Sequence, residues 1–349
     1  GLYNLAFLGS STTITNAVTF VNTGTLQIGD ESTDSFTATG GFTAAIPAAI
    51  SLGGTINGGG AITIGASGTP ITLVANTAIN TNSNNSALTI SGNISGATKT
   101  LALNSGTAVT TTSAIGSLGN GLGAITVTAN EFNPTANIYG QSTLVIKPST
   151  SGNTILLGGA SNNNSDTILD LTATELGYIQ PGFTGITIGS STTGAITLAT
   201  NQTFTSPITF DTNGANINLG ANLTGTGSGT FTFSDPVVVT ASAVEISTDN
   251  QNVLFSGLVD GTSSAANSLS VHAGSGNITF NGKVGSLADL NVFTLDNTGD
   301  TWINDRVNTA SIVTGSNGRT IINYSLIETT GSQTYNNTVV ININTTITT

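Results

Sequence analysis

The chain has 349 residues, of which only 6% are charged: five Lys or Arg against 17 Asp or Glu, for a formal net charge of −12. Five basic residues cannot form a phosphate-binding stripe, which argues against a nucleic-acid partner. The absence of Cys and the single His exclude disulfides, thiolate metal sites and His-rich metal centres.

The remaining composition is not that of a disordered chain, because 37% of the residues are hydrophobic. Most of these are Ile, Leu, Val and Ala, so neutral Thr, Ser and Asn must supply the solvated surface. The scarcity of Lys and Arg leaves few sites for trypsin-like proteases, which suits an extracellular setting. No apolar run approaches the roughly 18 residues needed to cross a bilayer, so direct membrane insertion is not expected. The start at Gly1, without Met or a basic leader, reads as a processed or internal segment.

Along the chain the hydrophobic period is two. Ile62-Thr63-Ile64 puts two Ile on one face and Thr on the other. Ile71-Thr72-Leu73, Leu101-Ala102-Leu103, Ile125-Thr126-Val127, Ile186-Thr187-Ile188, Ile196-Thr197-Leu198 and Phe231-Thr232-Phe233 repeat the pattern. Gly, Asn and Ser lie between the runs, as in Asn57-Gly58-Gly59-Gly60 and Ser161-Asn162-Asn163-Asn164, and predict tight corners. Only the stretch Ile168 to Leu176 approaches an amphipathic helix, and its β-branched content makes it ambiguous.

The runs also echo one another. Ile62-Thr63-Ile64-Gly65 returns as Ile186-Thr187-Ile188-Gly189, and Ser91-Gly92-Asn93-Ile94 returns as Ser275-Gly276-Asn277-Ile278. Short strands with degenerate repeats fit either tandem β-sandwiches or a β-solenoid. The low aromatic content, 5%, favours the solenoid, whose narrow core is expected to hold stacked Ile, Leu, Val and Ala. The expected fold is therefore all-β: a parallel β-helix of about 15 coils at roughly 20 to 25 residues each. A mild composition shift near residue 235 suggests solenoid repeats over 1–235 and continuing repeats, as a subdomain, over 236–349.

The most recognisable residues are Gly276-Asn277-Ile278-Thr279-Phe280-Asn281-Gly282-Lys283-Val284-Gly285 and Thr329-Thr330-Gly331-Ser332-Gln333-Thr334-Tyr335-Asn336. Val18-Thr19-Phe20-Val21-Asn22-Thr23-Gly24-Thr25-Leu26 has the same character. Together these resemble the strand repeats of filamentous-haemagglutinin-like exoproteins and autotransporter passengers, very large secreted bacterial surface proteins. The resemblance implies a right-handed β-helix, export across the outer membrane and a role at the cell surface.

Candidate chemistry is sparse. Gly29-Asp30-Glu31-Ser32-Thr33-Asp34 places three acids in five positions, which makes Asp30, Glu31 and Asp34 candidate ligands for a weakly held Ca2+, although a solvated turn is the favoured reading. Asp289, Asp296, Asp300 and Asp305, with Lys283 and Arg306, are the acids that a polysaccharide-cleaving β-helix would need to converge. Their Asn-rich contexts read instead as turns. His272 is read as outward and solvated, with neighbouring Ser270 on the opposite face. Trp302 either stacks on a sugar or covers the core locally. The expected function is a non-enzymatic structural or adhesive segment without catalytic residues or an organic cofactor. Its expected partners are neighbouring segments, further copies or surface glycans. A self-assembling filament and a polysaccharide-active enzyme are the alternatives.

Overall fold

Alternating apolar and hydroxyl residues become short parallel strands in the computed structural model, which describes residues 2–160 and 167–349. The described pairings between strands are parallel, as a solenoid requires and an antiparallel sandwich forbids. The chain is a β-solenoid of about 15 stacked coils. It divides into two compact units, Gly1–Ile155 with Gly159–Ile186, and Leu156–Gly158 with Thr187–Thr349.

In the first unit, Leu5, Leu26, Ile50, Ile71, Ile94, Ile115 and Ile138 occupy one register position on successive coils. The described strand pairings of this unit join residues 19 to 26 positions apart. A second ladder runs Phe36, Ile56, Ile79, Leu103, Val127 and Ile146. From Leu26 and Ile56 onward these side chains are almost wholly buried. Burying one such side chain contributes roughly 1.5–3 kcal/mol, so the ladders dominate the stability.

The second unit follows the same plan with one difference from expectation. Phe210, Phe233, Phe255 and Phe280 share a register position, continued by Ile303 and Ile322. The core is thus not purely aliphatic. Parallel coils repeat at about 4.8 Å, close to the separation of stacked rings. The ring centroids of these four residues are 4.6–5.4 Å apart. The stack crosses residue 235 without interruption.

Outside the core, amides tie coil to coil. Asn304 Nδ2 donates to Asn281 Oδ1 at 2.9 Å, Asn323 to Asn304 at 2.7 Å, and Asn342 to Asn323 at 2.8 Å. Asn304→Ala removes two of these bonds. It is expected to lower stability by about 1–2 kcal/mol, seen as a lower urea midpoint at constant slope. An unchanged midpoint would mean that water replaces the ladder at no cost.

Three local expectations are refined. Asn57 and Gly58 belong to the strand Ala49–Gly58, because they pair with Thr37 and Ala38 on one neighbouring strand and Asn57 with Asn80 on the other, where Asn80 Nδ2 also donates to Asn57 Oδ1 at 3.1 Å; the turn begins at Gly59. Several threonines face inward: Thr301 and Thr320 continue the ladder of Phe231, Val253 and Ile278, their hydroxyls held by Asn297 and Asn337. The ambiguous stretch splits into the strand Ile168–Thr172 and the one-turn helix Ala173–Gly177, closed by reciprocal bonds between Thr172 and Glu175. The predicted corner at Ser161 to Asn164 lies outside the described residues.

Candidate functional site

In the first unit a groove of about 710 Å3 lies beside the ladder Ile94, Ile115, Ile138 and Ile179. Each ladder Ile is buried or half-buried and is flanked by two residues that alternate to the outside. On one coil these are Asn93 and Ser95, on the next Ala114 and Gly116, then Asn137 and Tyr139, then Tyr178 and Gln180. The coil bearing Ala114 and Gly116 has almost no outward side chain, and this gap forms the floor. Tyr139 and Tyr178 stand on one side, Asn93, Ser95 and Pro70 on the other. Gly116 has φ +69°, and a Cβ there would lie 2.5 Å from the Tyr139 carbonyl oxygen, so the floor stays bare. The turn after it carries Leu118, 84% exposed, at the rim.

Neutral groups hold the groove in shape. Asn137 Nδ2 donates to the Tyr139 hydroxyl at 3.2 Å, and Gln180 Nε2 donates to Asn137 Oδ1 at 3.4 Å and to the Gly177 carbonyl at 3.0 Å. Ser113 donates to Asn93 Oδ1 at 3.0 Å. No Asp, Glu, Lys, Arg or His lines the groove.

A second feature of this unit is a set of buried carboxyls, Glu131, Asp170 and Glu175. Burial, reinforced by the charge and hydrogen bond of Asp170 and by the charge of Glu175, pushes the Glu131 carboxyl from 4.5 up to about 8. Glu175 accepts the backbone N–H and hydroxyl of Thr172, both at 2.9 Å.

The residues singled out in the sequence are dispersed. Asp34 Oδ2 accepts the N–H of Asp30 at 2.9 Å and of Glu31 at 3.1 Å, and these bonds hold its carboxyl below the usual range. Sharing a hydrogen bond with Asp34 raises Asp30. The loop therefore uses its last acid, Asp34, to tie its own backbone. Among the described residues no three His, Cys, Asp or Glu side chains come together to hold a metal ion.

In the second unit, Asp300 forms a two-pronged pair with Arg319 at 2.7 and 2.9 Å, and Arg306 pairs with Glu328 at 2.7 Å. Asp289 accepts the Ser264 hydroxyl, and Asp305 accepts the Arg306 N–H at 2.7 Å. The acids thus serve separate local contacts. His272 is outward, as expected, with Nδ1 3.5 Å from Asp296 Oδ2. Ser270 is not on the opposite face: residues two apart in a strand share a face, and both alternate with buried Val271. Ser247, His272 and Asp296 do align on three successive coils, but the Ser247 hydroxyl donates away from the His, to Thr224 at 3.5 Å. Trp302 faces outward in register between Thr279 and Ile321, and Ile321 beside it is 3% exposed. The covering role is the one this geometry supports.

Sequence reasoning missed both the groove and the buried carboxyls. The groove does leave a signal, the repeated triplets Asn93-Ile94-Ser95, Ala114-Ile115-Gly116, Asn137-Ile138-Tyr139 and Tyr178-Ile179-Gln180, in which small outer residues on one coil meet aromatic ones on the next. Glu131 and Asp170 leave none, since an acid on a β-strand is ordinarily solvated, whereas Glu175 is marked by the Thr172-x-x-Glu175 spacing of a helix cap. No protein-family model, no curated protein and no solved structure matches this chain.

Proposed function

We propose that the chain is a non-enzymatic, extracellular structural and adhesive segment of a large secreted bacterial surface protein. The filamentous-haemagglutinin and autotransporter-passenger type is the class its repeats resemble. One observation carries this reading: outward polar groups mostly bond coil to coil or close their own turns, and Asp289, Asp300 and Asp305 are engaged in separate local contacts. Examples are the Asn281 to Asn342 ladder, the Asp300–Arg319 pair and the Asp34 turn. Such a wall is chemically inert and mechanically continuous, and many weak contacts along it would add up through multivalency.

The test is retention of the purified chain, displayed in many copies on beads, on bacterial and host cell surfaces, together with incubation on a polysaccharide panel. Saturable retention without product release is expected. Product release that disappears in Asp300→Ala would replace this reading with the enzymatic one.

A filament subunit is the second reading. Its support is that the described strands pair in parallel, the mode by which the coils of a further copy would add. Concentration-dependent polymers abolished by Ile341→Lys with Ile343→Lys are expected on that reading, and a monomer at all concentrations contradicts it.

A further inference from the structure

In the groove beside Ile115, aromatic rings, amides and a bare floor coincide. We infer that it binds an uncharged saccharide, with sugar ring faces on Tyr139 and Tyr178 and sugar hydroxyls on the Asn93, Ser95 and Asn137 side chains. This rests on the adhesive reading above and names the chemistry it recognises.

Charge makes the first discrimination. A chain of net charge −12 repels anions, and the groove offers no Lys or Arg to offset that field. No carboxylate lines it to attract a cation. The ligand that fits is neutral. The mixture of lining groups makes the second. Tyr presents an apolar ring face and a polar tip, and a sugar presents C–H faces ringed by hydroxyls. Asn93, Ser95 and Asn137 each keep hydrogen-bonding capacity beyond their bonds to Ser113, Ile71, Tyr139 and Gln180, which sugar hydroxyls would use and a purely apolar ligand would leave unmet.

Pre-organisation makes the third. The Tyr139 hydroxyl already accepts from Asn137, so its proton is directed to another acceptor. The Asn137 amide is fixed in turn by Gln180. Volume agrees: about 710 Å3 falls within the roughly 300–1,000 Å3 of small-ligand sites and admits a short oligosaccharide. The floor residues Ala114 and Gly116 set the depth.

The experiment titrates the full chain with neutral trisaccharides of glucose, mannose, galactose and N-acetylglucosamine. Sialylated and sulfated glycans and an apolar peptide serve as comparison arms, and binding is read by calorimetry and by saturation-transfer NMR. Binding of at least one neutral trisaccharide is expected, weakened at least tenfold in Tyr139→Ala and in Tyr178→Ala. Tyr139→Phe should retain most of it. Ala114→Trp should abolish it by filling the floor from outside the core. Far-UV circular dichroism and the melting temperature confirm that each variant is folded, and Ala114→Trp decides if a Tyr variant is not. The inference is overturned by absence of binding to every neutral saccharide, by binding that survives Ala114→Trp, or by preference for an anionic glycan or the peptide. Cell-surface retention separates the two readings. Retention unchanged by Ala114→Trp keeps the adhesive reading and overturns the groove. Saccharide binding without retention on any cell keeps the groove and overturns adhesion.

Discussion

Replacing Phe255 by Ala is expected to destabilise the chain by about 3–5 kcal/mol. Phe255 is fully buried between two rings of its own kind, 4.8 Å from Phe233 and 4.6 Å from Phe280, with interplanar angles of 10° and 6°. Truncation leaves a void between fixed coils. Parallel coils cannot close on it without breaking the bonds that set their spacing, so the full cavity penalty should appear. Phe255→Leu keeps most of the volume and should lose less than half as much. Because each coil touches only its neighbours, faster hydrogen exchange should concentrate in the strands Phe231–Phe233, Val253–Phe255 and Ile278–Phe280. Urea unfolding and exchange mass spectrometry check both statements. A loss below about 1 kcal/mol would mean that the rings do not form a continuous stack.

The second large effect is a stability that declines as pH rises through neutrality. Glu131 holds its proton to about pH 8 in the folded chain, against 4.5 ordinarily. Between those values the folded state binds one proton more than the unfolded state. Unfolding free energy therefore falls with increasing pH across that window and levels off above it. Each pKa unit corresponds to about 1.4 kcal/mol, so the melting temperature should drop by several degrees between about pH 5 and pH 8.5. Glu131→Gln imitates the protonated acid. It should flatten the profile and be the more stable protein at the alkaline end, with little change at the acidic end. Asp34 acts in the opposite sense but below the ordinary Asp value of 3.8, outside this window. A profile that rises with pH and is unaltered by Glu131→Gln would show that the acid is ionised in the folded state.

The fold was largely legible because its determinant is local and repeated. Ile62-Thr63-Ile64 states which side chains go in, and the structure stacks it in register on Phe42-Thr43-Ala44 and beneath Leu88-Thr89-Ile90. What the pattern could not show is which inward residues meet on neighbouring coils. Phe210, Phe233, Phe255 and Phe280 look like isolated aromatics until the coil lengths between them are known. The groove depends on the same unknown: Tyr139 and Tyr178 are unremarkable in sequence and become a pair only through the bridge between Ile138 and Ile179. Glu131 was illegible for another reason. Burial of an acid is set by what the chain lays over it, and no local residue pattern encodes that.

Stacking of parallel coils in one register is the claim on which all of this depends. The chain has no Cys, so a pair of introduced cysteines reports register without background. Thr63 and Thr89 are outward neighbours on adjacent coils of the first unit, and Thr209 and Thr232 are their counterparts in the second. Oxidation of Thr63→Cys/Thr89→Cys and of Thr209→Cys/Thr232→Cys should give intramolecular disulfides in high yield, since paired strands fall within the Cα separation that a disulfide spans. The shifted pair Thr63→Cys/Ser91→Cys should form little. Free thiols in both matched pairs, or equal yield in the shifted one, would contradict the stacked-coil structure.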